Sequence, residues 1–375
     1  MIYGISIVAF LAVLFFFVAF INVLSWKRVR PSHMQTTQLG TSVSVLIPAR
    51  NEAQTIERSV KSALRQGDIV AEVLVYDDHS EDDTATIVQR LSNNNERVKL
   101  IVGKQLPAGW YGKPHACYQL AQHARSPWLL FLDADAELEP NCIATMVAEA
   151  VNNKVSLMSF WPGLSLGSYV EKIFMPLLNF FVFTIFPTFF ASRFNAEQLG
   201  LAHGACMLFH KETYFRLGGH SLVKNELFED TMLARWWRRK GERSLCVDGQ
   251  DVVRVRMYSS LTEIWEGFSK NFYPGFRSEI MFWFFILLHF SVFLYPFLLL
   301  PFTTDANVYL VTLLAAFVVL SIRFMLALRF GYSLLPILLH PVAESFVIAV
   351  GITSWWKWKY GSGVRWKGRT YQPNT

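Results

Sequence analysis

Apolar residues crowd the two ends of this chain, and between them short apolar strings alternate with helix-period patterns. Residues 5–24 are an uncharged run, apolar except at Ser6 and Asn22, about long enough to cross a bilayer core. Residues 40–280 read as one globular domain. In it Val43–Ile47, Glu72–Tyr76, Val98–Val102 and Trp128–Leu132 carry the short apolar strings of buried strands. Thr55–Leu64, Asp83–Leu91 and Lys113–His123 place apolar residues at helical spacing. Strand and helix in alternation predict an α/β domain with a mostly parallel sheet. In such sheets ligands bind beyond the carboxyl ends of the strands.

The flanks predict a membrane. The first run lacks the basic start and small-residue cleavage site of a signal peptide, so residues 1–26 read as a retained anchor. Lys27, Arg28 and Arg30 follow at once, which by the positive-inside rule places residue 27 onward in the cytoplasm of a multi-pass cell-membrane protein. Residues 173–190 are apolar but interrupted by Pro176, Asn179 and Pro187. A full crossing here would separate acidic motifs that belong to one site, so an interfacial amphipathic element is expected, with a buried core helix as the alternative. Residues 281–354 hold three apolar stretches, 281–301, 307–328 and 333–354. The third contains Pro336, His340, Pro341 and Glu344. Residues 355–375 form a basic, aromatic tail suited to a cytoplasmic membrane face. A tail on that side asks that one of the three stretches be re-entrant or interfacial.

Composition agrees. Of 375 residues 52% are hydrophobic, with 32 Phe and 12 Trp, more apolar than an average soluble domain. The net charge of +6 is what basic flanks of membrane helices supply. No basic stripe or known module points to nucleic acid. Cys117, Cys142, Cys206 and Cys246 are far apart, form no CxxC, and are expected to stay reduced.

The chemistry sits at the predicted strand ends. Asp133-Ala-Asp135 closes an apolar strand. Two carboxylates at i and i+2 can reach one hard cation, Mg²⁺ or Mn²⁺, which bridges to substrate phosphates and offsets charge on a leaving diphosphate. Asp77-Asp78-His79-Ser80 follows another strand; an acid there can accept from a base N–H or a ribose hydroxyl, while Ser80 or Asp82 caps the next helix. Pro48-Ala-Arg50-Asn-Glu52 leads a strand into a helix and can bracket a nucleotide. Gly109-Trp-Tyr-Gly-Lys113 sets a lysine at a helix start, where it suits a diphosphate. Glu229-Asp230 opens a helix, where a carboxylate is normally ionised and can take a proton from an acceptor hydroxyl. His203-Gly-Ala205 lies upstream and can line the acceptor cleft or be structural.

The four acidic motifs, in the chain order Pro48–Glu52, Asp77–Asp78, Asp133–Asp135 and Glu229–Asp230, resemble the family 2 glycosyltransferases, inverting enzymes of the GT-A fold. The resemblance covers roughly 40–280. It implies a Rossmann-like GT-A nucleotide-sugar-binding domain with transmembrane helices at both ends. It further implies that Asp78 contacts the nucleotide, Asp133 and Asp135 the sugar-nucleotide and metal, and Asp230 acts as base. The processive members' Q-x-x-R-W block is missing; Asn271-Phe-Tyr-Pro-Gly-Phe276 stands in that region, which favours single transfer. Gly109–Lys113, Arg256-Met-Tyr258, Glu266–Asn271 and Val364–Tyr371 narrow the resemblance to bacterial carotenoid-acid glycosyltransferases of the diaponeurosporenoate type, with hopanoid-associated relatives sharing some blocks. That implies glucose moved from UDP-glucose to a C30 carotenoid carboxylate. Other expected acceptors are a polyprenyl phosphate, a hopanoid or a sphingolipid. A non-catalytic membrane scaffold on a decayed fold is the alternative of another class.

Overall fold

A computed structural model describes residues 1–31, 40–276, 278–361, 363–366 and 369–371. Of the predicted tail, Ser362, Lys367, Gly368 and residues 372–375 lie outside the described residues. The chain divides into two compact units: Trp26–Ser165 with Phe190–Met257, and Met1–Ser25 with Leu166–Phe189 and Tyr258–Thr375.

The first of these is the α/β unit. Its strands are β1 (Val43–Ala49), β2 (Val70–Asp77), β3 (Val98–Val102), β4 (Trp128–Leu132), β5 (Ala136–Leu138), β6 (Leu157–Trp161), β7 (Gly163–Leu164), β8 (Cys206–His210), β9 (Ser244–Asp248) and β10 (Val253–Val255). Seven of them form one sheet in the order β3-β2-β1-β4-β8-β6-β9. The pairs β2–β3, β1–β2, β1–β4 and β6–β9 are parallel; β8 runs antiparallel to both neighbours. β1 and β4 are apolar almost throughout because helices cover both faces of a parallel sheet. Since β2, β1 and β4 run the same way, the ends predicted to carry chemistry lie side by side along one edge.

The predicted elements differ from the observed ones by at most two residues at most ends, as where Glu72–Tyr76 becomes Val70–Asp77; the helix predicted over Asp83–Leu91 runs three residues further, over Thr84–Asn94. Beyond β4 the periodicity reading named no strand, and the antiparallel β8 is the main addition. Its register against β4, Leu132 opposite Cys206, brings residues 203–205 beside Asp133. The core on this side holds Phe131, Phe209, Tyr214 and Trp237. Phe209 meets the Trp237 and Tyr214 rings edge-on at 5.3 and 5.4 Å, the favoured aromatic geometry.

Lys27 and Arg28, read from sequence as topology signals, also fasten this unit. Arg28 makes a two-pronged bond to Asp251, 2.6 Å on each prong, and Lys27 pairs with Glu149. The four cysteines are free.

The second unit is helical. Among the described residues four helices are long and apolar enough to cross a membrane: Ile2–Ser25, Glu279–Phe302, Ala306–Phe330 and Leu335–Tyr360. The second carries a π turn at His289–Leu294. The last continues through Trp355–Tyr360, so the start of the predicted tail is helix. Ile2–Ser25 packs on Ala306–Phe330, with Ala9, Ala12 and Ala19 buried on the one and Ala315 and Ala316 on the other. Small residues let two helix backbones approach closely. Residues 173–190 break into short helices at the prolines: Tyr169–Phe174, Leu177–Ile185 and Thr188–Arg193. Buried Asn22 holds this break. Its amide N–H groups donate to Phe183 O and Phe186 O, and its carbonyl accepts from the Thr188 N–H and hydroxyl.

Candidate active site

The loops after β1 and β2 clasp each other. Asn51 and His79 both adopt a left-handed backbone, with φ of 54° and 59°, a conformation in which Asn and His are enriched among non-glycine residues. The Asn51 N–H donates to Ser80 Oγ at 3.0 Å, and the Glu81 N–H returns a bond to Asn51 Oδ1 at 2.8 Å. Arg50 donates to the carbonyls of Asp78 (2.6 Å) and His79 (3.2 Å), so its guanidinium braces the second loop. Glu52 accepts from the Thr55 hydroxyl, and its N–H donates to Thr84 Oγ1. Asp82, one residue before the N-cap Asp83, accepts from the Thr84 N–H that opens the following helix; Ser80 is the clasp instead. Asp77 and Asp78 are buried at the end of β2. Asp77 Oδ2 accepts from the Ser80 N–H, while Oδ1, also buried, has no partner among the described residues. A buried carboxylate oxygen left open is costly, and a nucleotide N–H or hydroxyl would satisfy it. Pro48 lies within β1 itself, opposite Tyr76.

A second group forms where β4, β8 and the helix Glu229–Arg239 converge. The Lys113 ammonium lies 2.9 Å from Asp133 Oδ1, 3.1 Å from Asp133 Oδ2 and 3.1 Å from Glu229 Oε1. Burial opposes its charge, but the two carboxylates hold its pKa well above the ordinary lysine value. Lys113 stands in the first turn of the helix Gly112–His123, a built position with its side chain 38% exposed. Ala134 is buried between half-exposed Asp133 and Asp135, so both carboxylates leave the backbone on the open side.

Asp230 departs from the sequence expectation of a normally ionised acid at a helix start. It accepts from the Gly204 N–H at 2.7 Å and from the Thr231 N–H at 2.6 Å. Burial, and then the neighbouring Glu229 charge, push its pKa to about 7 against the pull of Lys113 and the two N–H donors. Gly204 was missed by sequence reasoning. A side chain there would meet Lys113 Nζ at 3.0 Å and Asp230 Oδ2 at 3.3 Å; a glycine beside His203 was its only signal. His203 is clamped at both backbone groups by Ser159 Oγ, and its Nδ1 accepts from the Ala205 N–H. Its ring sits against Trp161, and burial drives its pKa down to about 3, so it is neutral.

The structure thus joins Lys113, Asp133, Glu229 and Asp230 in one cluster, and Arg50, Glu52, Asp77 and Asp78 in the adjoining loops. The cluster sets one ammonium against several carboxylates and is short of positive charge. Among the described residues no three His, Cys, Asp or Glu side chains group closely enough to hold an ion alone. That donor set fits Mg²⁺ or Mn²⁺ held by one or two carboxylates and completed by substrate phosphates.

Comparison with known proteins bears on the fold and the family. Residues 44–217 match the model for glycosyl transferase family 2. The chain is 26% identical over 352 residues to a 4,4'-diaponeurosporenoate glycosyltransferase of Staphylococcus aureus (strain USA300), covering 88% of each chain. Its fold is similar to that of a mannosyltransferase from Pyrobaculum calidifontis solved in complex with GDP-Man and Mn²⁺. That match has a TM-score of 0.56 at 18% identity, over 95% of this chain and 99% of the other. Residues 44–217 are therefore a glycosyl transferase family 2 domain on a GT-A fold, and the chain is a glycosyltransferase.

Proposed function

We propose that this enzyme moves a hexose, with glucose as the first candidate, from a UDP-sugar to a hydrophobic lipid acceptor at the cytoplasmic face of a membrane. The observation that carries the reading is the Lys113–Asp133–Glu229–Asp230 cluster at one sheet edge. The named relative supports a C30 carotenoid acid as acceptor, and four helices of membrane-spanning length support delivery from the bilayer.

In this mechanism Asp77 and Asp78 take the nucleoside, in a loop braced by Arg50 and supported by Pro48 and Glu52. Lys113 binds the diphosphate. Asp133 and Asp135 would hold a divalent ion, which when bound offsets negative charge on the departing diphosphate. The acceptor oxygen attacks the anomeric carbon from the face opposite the diphosphate. A new C–O bond forms, the old one breaks, and UDP leaves with the electron pair, so configuration inverts. Asp230 orients the acceptor oxygen or removes its proton, and Glu229 keeps Lys113 in place.

A second reading concerns the acceptor alone. A base with a pKa of about 7 is matched to deprotonating a hydroxyl at neutral pH, whereas a carboxylate acceptor is already ionised. That favours a hydroxyl lipid such as a hopanoid or sphingolipid. The test is membranes containing the protein, supplied with UDP-glucose, Mg²⁺ or Mn²⁺, and either a C30 carotenoid acid or a hydroxyl lipid, read by mass spectrometry. A hexosylated carotenoid acid supports the first reading. A hexosylated hydroxyl lipid alone moves the assignment to the second, and no hexosylated product with any lipid sinks both.

A further inference from the structure

The segment Ala202–Ala205 runs between Asp230 and Asp133, and it belongs to neither a helix nor a strand. The β4–β8 pairing stops at Leu132 opposite Cys206, and the β6–β8 pairing at Ser159 opposite Met207. Ahead of Cys206 the backbone has no ladder to hold it, so its N–H groups need other partners. Side chains supply all four. The Ala202 N–H donates to Thr231 Oγ1 at 3.3 Å, and the Thr231 hydroxyl donates back to Ala202 O at 3.0 Å. The His203 N–H donates to Ser159 Oγ at 2.8 Å, and the Ser159 hydroxyl donates back to His203 O at 3.1 Å. The Gly204 N–H donates to Asp230 Oδ2 at 2.7 Å, and the Ala205 N–H to His203 Nδ1 at 3.2 Å. Ala205 O then accepts from the Asp133 N–H at 3.0 Å. Two hydroxyls thus each grip one residue by both of its backbone groups, and the backbone between them and β8 reaches Asp230 and Asp133.

Ser159 stands out in its own strand. β6 is Leu157-Met-Ser-Phe-Trp161, buried at every position, and Ser159 is its only hydroxyl, fully buried. A buried hydroxyl is costly unless it is bonded. It offers one donor and two acceptor positions. Here the donor and one acceptor go to His203, and the Cys246 thiol approaches to 4.0 Å. With His203 fixed at N–H and carbonyl, the adjoining Gly204 N–H is fixed in direction, and it lies on Asp230.

We infer that Ser159 is a positioning residue for sugar transfer: its hydroxyl anchors His203 and so keeps the Gly204 N–H on Asp230, aiming that carboxyl at the acceptor oxygen. Thr231 is the second anchor, at Ala202. The inference rests on the reading of Asp230 as the group that meets the acceptor. Displacing a reacting group by about 1 Å can cost about 10²-fold in rate. Donor affinity should hold, because Asp77 and Asp78 follow β2, which pairs with neither β6 nor β8. The ionisable groups facing Asp230 are Glu229 on its own helix, Lys113 from the helix Gly112–His123 and Cys246 from β9. The Gly204 N–H favours the ionised carboxylate, so losing it raises the pH at which Asp230 gives up its proton.

The test uses the full-length protein as Ser159→Ala, Ser159→Thr, Ser159→Val, Thr231→Val and Asp230→Asn. Thr keeps the hydroxyl, and Val has the shape of Thr without it, so any packing cost is common to both. In Ser159→Ala, kcat should fall about tenfold or more, with KM for the UDP-sugar changed less than about twofold. Ser159→Thr should retain clearly more kcat than Ser159→Val. Infrared titration of the carboxyl band that vanishes in Asp230→Asn needs no acceptor. Its midpoint should rise in Ser159→Ala and stay near wild type in Ser159→Thr. Wild-type kcat and midpoint in Ser159→Ala, or equal losses in the Thr and Val variants, overturn the inference. So does a raised KM for the UDP-sugar with the midpoint unmoved, the sign of a merely structural role. If UDP no longer protects the Ser159 variants from thermal unfolding, Thr231→Val decides by the same kcat, KM and midpoint. Full activity in Asp230→Asn sinks the reading of Asp230 and the inference with it. An inactive Asp230→Asn beside a fully active Ser159→Ala sinks the inference alone.

Discussion

Asp230→Asn separates the two acceptor readings. Burial and Glu229 hold this carboxyl at about 7, so it passes from mostly protonated to mostly ionised over about one pH unit on either side. Only the ionised form accepts a proton. Transfer to a hydroxyl acceptor therefore rises with pH through about 7 and then levels off. Asn cannot accept the proton, and a positioned base is worth about 10²–10⁴-fold, or about 3–5 kcal/mol of barrier. A carboxylate acceptor has no proton to lose, so its rate should fall less than about tenfold. Stability supplies a control whose sign is opposite at the two ends of the pH range. Because the folded-state pKa is raised from 3.8 to about 7, the protonated carboxyl favours folding. That contribution is complete below about pH 4 and is lost as pH rises through about 7, by at most about 4 kcal/mol. The Asn variant has no charge to bury. It does leave its amide NH₂ against the Gly204 or Thr231 N–H, at about 1–3 kcal/mol. It should be less stable than wild type near pH 5 and no less stable near pH 8. The assay is initial rates of hexosyl-lipid formation for each acceptor across pH, with UDP binding and thermal unfolding measured alongside. A surviving pH limb in the variant, or a loss below tenfold with both acceptors, would refute Asp230 as the base.

Lys113 lowers the Asp230 pKa, so Lys113→Met should move the rising limb of the rate profile to higher pH as well as weaken UDP-sugar binding; a limb that stays put contradicts the coupling. Gly204→Ala introduces a methyl 3.0 Å from the Lys113 ammonium. It should cut kcat about tenfold or more with little change in unfolding temperature; an unchanged kcat would mean the cluster can give way freely. Asp135→Asn should lose the metal dependence of UDP-sugar binding, seen by titrating Mn²⁺ at fixed donor, and an unaltered Mn²⁺ requirement removes Asp135 from the ion. Asn51→Ala breaks the clasp to Glu81 in a left-handed position and should destabilise the fold by about 1–3 kcal/mol; thermal unfolding at the wild-type temperature would show the loops stand without it.

The parallel half of the sheet was legible because its strands are buried on both faces, and unbroken strings such as Leu129-Leu-Phe-Leu132 record that burial directly. The apolar ends were legible for the same reason at larger scale, since a span needs length and composition and little else. The Asp77-Asp78 and Asp133-Ala-Asp135 groups could be placed at strand ends because each group opens directly after such a string. The antiparallel β8 was not legible. Cys206–His210 reads like any short apolar string, and its direction comes from pairing with β4 and β6, long-range contacts that no local period records. Gly204 and the pKa of Asp230 depend on that pairing. β8 carries residues 203–205 to the start of the helix Glu229–Arg239, and burial there takes from Asp230 the hydration that would keep it ionised. Sequence alone determined which groups stand at the strand ends and which segments are apolar enough for a membrane, because both are local properties. Tertiary structure decided which of those groups share a charge, which carboxyl is held near neutrality, and which cations, such as Arg323, end up buried, because each requires desolvation by residues distant in the chain.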